Sequence, residues 1–492
     1  MDSILFWNQV ALEANRVSHT NGKNERTGPT LSSRALAIVH LAMYDAYAGF
    51  VDDSTNFPPY IGGIPFPAGA SVDAAVAAAA HKTLSELFPS QKPFFDLVLA
   101  GAGDESDPGH AFGVAIAQQI LADRAGDPGA EATGYVPSQQ RGKHRPDPDN
   151  PDQGFHAPFY GARSKLFAVS NRHELAEPPQ PGDPNDYLNA LREVRGQGIA
   201  PELMGSLPTD IPGLKPRTAN QTLRGIYWAY DGALDLGTPP RLYNQIVREV
   251  AKNKNNSTED NARLFALVNV AMADAGILAW DQKYKHDLWR PVLGIREHDQ
   301  STGPTTVAND AIGADCDPGW LPLGGPATNS TGGNFKKNFT PNFPAYPSGH
   351  ATFGAAAFHI TRLFYGPDGV NKGGVAVGDR GPDDLFDGLE FVSEELNGVN
   401  KDNKGTIRPR HARNFPGGLW QMIRQNGRSR VDLGVHWVFD AFMVDNDGRP
   451  DLDKQDAAGL HFGGVPLGLT IAEDIFQAAG GMGPKKSMVG PR

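Results

Sequence analysis

The chain has 492 residues, with 45 Lys and Arg against 56 Asp and Glu, a formal net charge of −11. That balance excludes broad nucleic-acid or anionic-membrane binding, which needs a basic face, and 39% hydrophobic with 21% charged residues exclude disorder by composition. One cysteine, Cys316, excludes an intramolecular disulfide and a zinc site built from several thiolates.

The start, MDSILFWNQVALEANR, carries Asp2 and Glu13 and lacks a basic segment followed by an apolar one, so it does not read as a secretory signal. Leu31 to Phe50 repeats apolar residues at three and four spacing, and Ser71 to Phe88 is Ala-rich behind a Ser71 N-cap; both predict helices. Residues 126–184 are turn-rich and predict a long crossing loop. The 57 Gly and 40 Pro, about a fifth of the chain against the usual ~12%, belong in such loops. Helical patterns resume near Asp186. The clearest is Ser257 to Lys285, opened by a capping-box-like Ser257 and Asp260, with Leu264, Leu267, Val268, Ala271, Ala275 and Leu278 on one stripe. It includes the nearest approach to a membrane span, Leu264 to Trp280, which Asn269 and Asp274 interrupt. Residues 300–347 read as loop. Further helices are expected at His350 to Phe364, Leu385 to Asn397 and Leu419 to Val444. Strong strands are scarce, so the expected class is all-α, helical bundles joined by long Gly/Pro-rich loops. The expected division is an N-terminal bundle with its crossing loop, 1–184, and a C-terminal bundle, 185–492, in a soluble monomer.

Three segments share the chemistry of oxyanion binding. In Lys283-Tyr-Lys-His-Asp-Leu-Trp-Arg290-Pro291 the two cations are seven residues apart, two helical turns on one face, with Pro291 ending the helix. In Pro347-Ser348-Gly349-His350 a hydroxyl and a free amide stand at a helix start, where the dipole favours an anion, and His350 is placed to move a proton. In Ser429-Arg430 through His436 to Asp440, helical i,i+4 spacing lets Asp440 fix one imidazole nitrogen of His436 and leaves the other as ligand or nucleophile. Each segment alone has an ordinary structural explanation: a solvated face, an N-cap, a core histidine. Together they concentrate Lys283, Arg290 and Arg430 in a chain of net charge −11, a pocket for a tetrahedral oxyanion of phosphate or vanadate size.

This ordered set resembles the signature shared by vanadium-dependent haloperoxidases and type 2 phosphatidic acid phosphatases. The chloroperoxidase branch is matched over nearly the whole chain, at ILFWNQVALEANRVSHT, at 227–247, 261–277, 343–356 (FPAYPSGHATFGAA), 393–400 and 463–476. The resemblance implies two four-helix bundles with the site at one end of the second. It implies vanadate as cofactor, held directly by His436 and through its oxygens by Lys283, Arg290, Ser348, Gly349 and Arg430. It further implies His350 as acid–base, Lys283 as the residue polarising the peroxide, Asp231 as partner of Arg430, Asp440 behind His436, and Trp280 with Phe343 on the halide side. Hydrogen peroxide, halide and a small organic acceptor would be the partners, with neither haem nor flavin. An apolar Phe343, where the bromoperoxidase branch tends to carry a histidine, favours chloride as well as bromide and iodide.

The competing reading is a soluble acid phosphatase with His436 as nucleophile, Asp440 orienting it and His350 protonating the leaving group. A third, an oxyanion-binding protein without turnover, would need neither His350 nor Asp440. Location stays open between the cytoplasm and export by a non-standard route. Among the remaining features, Asp445 to Gly448 resembles part of a calcium loop, but Met443 and Lys454 stand at ligand positions and exclude it. Asp147, Asp149 and Asp152 read as solvated. His286 and His359 read as structural.

Overall fold

Leu- and Ala-rich periodic segments recur along the chain, and in the computed structural model, which describes residues 2–492 except 305, 309, 332–335 and 367–372, the regular secondary structure is accordingly almost all helix, with long loops between. Its helices in chain order are α1 Ser3–Ser18, α2 Gly28–Val51, α3 Val72–Leu87, α4 Lys92–Ala102, α5 Pro108–Asp123, α6 Tyr160–Arg163, α7 Asp186–Gln197, α8 Ala219–Tyr227, α9 Pro239–Asn253, α10 Thr258–His286, α11 Pro291–Arg296, α12 Gly349–Phe364, α13 Gly418–Asp432 and α14 Gly464–Ala478. The Ser71 cap of α3 and the Ser257–Asp260 capping box of α10 form as the sequence predicts.

Helices α1 to α5 pack together, and α10 lies along α2. In the C-terminal half α12 is the axis: Gly349 to Leu363 is buried without interruption, wrapped by α9, α10, α13 and α14. Helix α10, 29 residues and about 43 Å long at 1.5 Å per residue, is long and apolar enough to cross a membrane, yet 94% of its most apolar window is buried inside the protein. Asp274, which interrupts its stripe, accepts the amides of Phe167, Ala168 and Val169 at 2.6, 2.8 and 3.0 Å, tying the crossing loop to the helix. Two glycines bring α14 onto α12. A Cβ at Gly464 would stand 2.6 Å from the Ser348 carbonyl oxygen, and one at Gly468 2.5 Å from that of Thr352.

Several expectations need correction. Leu385 to Asn397 is not a helix. After Gly388, at φ +74°, the chain extends into strand β1, Glu390–Val392, paired antiparallel with β2, Ala412–Asn414, through Phe391 and Arg413, and then makes a short 3-10 turn. The helix expected over Leu419 to Val444 stops at Asp432. Gly434 takes φ +75°, its amide reaches Val431 and that of Val435 reaches Arg430, a Schellman closure. Asp147 is buried, accepting the amides of Asp149 and Thr340, each at 2.9 Å, which anchors the crossing loop beside residue 340. The calcium-like Asp445 loop is an Asp-x-x-Gly turn of a kind that recurs at Asp402 and Asp456. At Asp402, Asp445 and Asp456 the carboxylate accepts the amides two and four residues on, and Gly405, Gly448 and Gly459 supply the positive φ. The Asp445 turn links β3, Met443–Val444, to β4, Pro450–Asp451. His286 is held between Glu177 and Gln282, and His359 between Arg362 and Glu473.

Candidate active site

The site is assembled from helix ends. Lys283 closes α10, Arg290 caps α11, Ser348 to His350 open α12, Arg430 closes α13, and His436 follows the Gly434 turn. Lys283 and Arg290 do not share a helix face, as their spacing suggested. The α10 helix ends at His286, Asp287 turns the chain at φ +54°, and Pro291 begins α11 rather than ending a helix. The two cations meet because the chain reverses between them.

His436 and Asp440 pair as expected but not as an i,i+4 helical pair. Asp440 lies in a 3-10 turn, Val438–Asp440, and its Oδ2 takes both His436 Nδ1, at 2.7 Å, and the Trp437 amide, at 3.0 Å. On the other side Arg290 Nη1 is 2.9 Å from His436 Nε2. A guanidinium can only donate, so Nε2 carries the lone pair and Nδ1 the proton. Burial, reinforced by Arg290, Lys283 and Arg430, holds this imidazole neutral by pushing its pKa well down.

The remaining groups converge as donors. Arg290 gives Nε to the Phe343 carbonyl and Nη1 to that of Val435, while its buried Nη2 has no partner among the described residues. Arg430 is bidentate with Asp231 at 2.7 and 3.0 Å, and its buried Nε likewise has no partner among the described residues. Ser348, buried, caps α12, and Gly349 opens that helix with the Trp280 ring 3.3 Å from where a Cβ would stand. His350 Nε2 lies 2.6 Å from the Ala229 carbonyl, which can only accept, so Nδ1 is the unprotonated nitrogen. Burial first, then Arg430, presses the His350 pKa to about 3. Lys283 is placed differently from its expected role. Its ammonium donates to the carbonyls of Pro344, Ala345 and Pro347, which uses all three protons to hold the loop before α12.

Of these groups Gly349, His350, Arg430 and His436 line a cavity of about 580 Å³, together with Trp280, Phe343, Asp231, His156, Pro29, Pro239, Pro326 and Pro341. Its lining contains no methionine or cysteine among the described residues. Trp280 and Phe343 are in contact, centroids 4.7 Å apart. The sequence offered no signal for His156, which lies in the crossing loop, outside every motif. Two unsatisfied cationic N–H groups, a helix-start amide and hydroxyl, and one imidazole lone pair fit an oxyanion whose central atom accepts a nitrogen ligand. No cluster of three or more His, Cys, Asp or Glu that could hold a bare metal cation occurs among the described residues.

Comparison with known proteins agrees. Residues 1–166 match the vanadium chloroperoxidase N-terminal domain and residues 263–449 the second helical-bundle domain of the same family. The chain is 36% identical to the vanadium chloroperoxidase of Curvularia inaequalis, over 96% of this chain and 89% of that one. In fold it resembles a bacterial vanadium-dependent iodoperoxidase (TM-score 0.57, 17% identity, 96% of this chain and 95% of the other). It also resembles the holo form of a bacterial vanadium-dependent chloroperoxidase (TM-score 0.60, 16% identity, 94% and 95%). Fold and site thus define a vanadium-dependent haloperoxidase, and within that class the chain belongs to the vanadium chloroperoxidase family.

Proposed function

We propose that this protein oxidises chloride, bromide and iodide with hydrogen peroxide to hypohalous acid, which halogenates small organic acceptors, and that it does so as a monomer. The observation that carries the reading is the pair of buried guanidinium nitrogens without a partner among the described residues, Arg290 Nη2 and Arg430 Nε, beside a histidine whose Nε2 keeps its lone pair. His436 Nε2 would hold the vanadium, and Arg290, Arg430, the Ser348 hydroxyl and the Gly349 amide would hold the oxygens of vanadate. Vanadate, when bound, supplies Lewis acidity that makes hydrogen peroxide an oxidant for halide without a change of its own oxidation state.

The chain's own residues do the rest. His350, neutral and unprotonated at Nδ1, takes a proton from the incoming peroxide and returns it to the departing product. Asp440 keeps the His436 tautomer, and Asp231 fixes the plane of Arg430. Lys283 contributes positive charge and anchors the Pro344 to Pro347 carbonyls so that Ser348 and Gly349 are presented at a fixed angle. The division into 1–184 and 185–492 accompanies this reading, supported by family domains spanning 1–166 and 263–449.

The test is halogenation of a 1,3-diketone reporter by purified protein with hydrogen peroxide and bromide or chloride, before and after orthovanadate, with phosphate as competitor. Activity that requires vanadate and fades with phosphate is expected, and His350→Ala should bind vanadate yet oxidise no halide. Hydrolysis of an aryl phosphate, inhibited by vanadate and without halogenation, would establish the phosphatase reading instead.

A further inference from the structure

His156 belongs to no motif, yet it is fixed from five directions. Its amide donates to the Asn342 carbonyl at 3.1 Å. Its carbonyl accepts from the Trp280 indole at 3.3 Å and from the Tyr284 hydroxyl at 2.7 Å. Its Nε2 is 3.0 Å from the Thr30 hydroxyl. Gly28, at φ +78°, completes the seat, since a Cβ there would collide with the imidazole. The ring so placed is 6.0 Å from that of Trp280 and 6.1 Å from that of Phe343, closing a triangle of rings that all line the cavity beside His350 and His436. Nδ1 has no hydrogen-bond partner among the described residues.

We propose that His156 is a halide-binding residue that sets halide preference: the Thr30 hydroxyl donates to Nε2, and the Nδ1–H donates to the halide held against Trp280 and Phe343. The inference rests on the haloperoxidase reading above. Cations back the two carbocyclic rings, with Lys283 Nζ 5.1 Å and Arg290 Cζ 5.0 Å from the Phe343 centroid, and Lys283 Nζ 5.6 Å from that of Trp280. They make the ring edges more hospitable to an anion, but rings offer no directed donor. A halide entering an apolar corner gives up its hydration, and chloride, the smallest of the three, gives up most. One fixed N–H therefore matters most for chloride and least for iodide. Burial presses the imidazole pKa down to about 4, which favours the neutral ring, a dipolar donor, near neutral pH.

The experiment is steady-state kinetics of the vanadate-loaded enzyme with chloride, bromide and iodide in turn. His156→Phe keeps the ring triangle and removes the donor. His156→Asn keeps an N–H near the Nδ1 position, and His156→Gln keeps one near Nε2. His156→Phe should raise the chloride KM about tenfold or more, as the loss of one hydrogen bond to a charged group implies, with a smaller rise for bromide, little for iodide, and unchanged kcat and vanadate affinity. His156→Asn should restore the chloride KM and His156→Gln should not. Equal shifts for all halides, or rescue by Gln as good as by Asn, would reduce His156 to a structural role and overturn the proposal. Thr30→Val, which leaves the imidazole in place but releases its tautomer, should reproduce part of the chloride effect, and serves if His156→Phe does not fold. Wild-type protein without vanadate-dependent oxidation of any halide would instead overturn the haloperoxidase reading itself.

Discussion

At His436 two neighbours of opposite charge fix one imidazole: Asp440 takes the Nδ1 proton and Arg290 faces the Nε2 lone pair. Removing Asp440 frees both the ring and its tautomer. Asp440→Ala should therefore weaken vanadate binding by roughly 10–100-fold, the usual cost of losing such a supporting carboxylate, read as the vanadate concentration needed for half-maximal bromide oxidation. Lys283 gives a contrasting prediction. Because its ammonium ties three carbonyls, Lys283→Ala should lower folding stability by about 1–3 kcal/mol in thermal unfolding without vanadate, as expected when buried hydrogen-bonding groups lose their partner. The residue types of the cage were legible because oxyanion chemistry demands them in this order. Their contacts were not. The reversal at Asp287 and the turn at Gly434 bring Arg290 and His436 together, and spacing along an assumed helix describes neither. His156 was illegible for a related reason: its seat is built by Gly28, Thr30, Trp280, Tyr284 and Asn342, which come from three separate parts of the chain.

Among the elements, the joint of α12 with α14 matters most to the site, because α12 begins with Ser348, Gly349 and His350. Gly464→Ala or Gly468→Ala would force the helices apart at a backbone contact. Each should cost roughly 1–3 kcal/mol, as overpacking does, and should weaken vanadate binding as well, whereas Gly101→Ala, on the open face of α4, should leave vanadate binding unchanged. Glu473 of α14 clamps the same joint through His359 and Arg380. Burial raises its pKa, but the hydrogen bonds from His359 and Arg380 outweigh this and hold the carboxyl at about 2, below the ordinary glutamate value. A depressed carboxylate stabilises above its unfolded pKa and loses that contribution as pH falls through the folded one. The difference in melting temperature between wild type and Glu473→Gln should thus be full at neutral pH and shrink from about pH 4.5 towards pH 2. The long helices and their caps were legible from periodicity. The stretch after Leu385 was not, because Leu385 and Phe386 are buried like helix residues while Gly388 and the pairing of Phe391 with Arg413 turn the chain into a strand. Gly434 did carry a readable stop signal.

For the molecule as a whole, Arg430 has Asp231 as counter-ion, but Lys283 and Arg290 are buried with no carboxylate in ion-pair contact among the described residues, a cost that bound oxyanion reduces. Orthovanadate at 100 times its Kd should add about 2.7 kcal/mol to folding stability by mass action. The rise in melting temperature should be reduced in Arg290→Ala, measured in the absence of peroxide. A catalyst that releases hypohalous acid must also outlast it, and thioethers and thiols are among the groups this oxidant consumes most readily. The cavity walls offer neither. Among the described residues the exposed thioethers lie after α14, where Met488 is 92% and Met482 36% exposed. After prolonged turnover, mass spectrometry of peptides should find sulfoxide at Met488 ahead of the buried Met272 and Met422. Oxidative damage of this kind would begin outside the reaction chamber, on residues that take no part in holding vanadate.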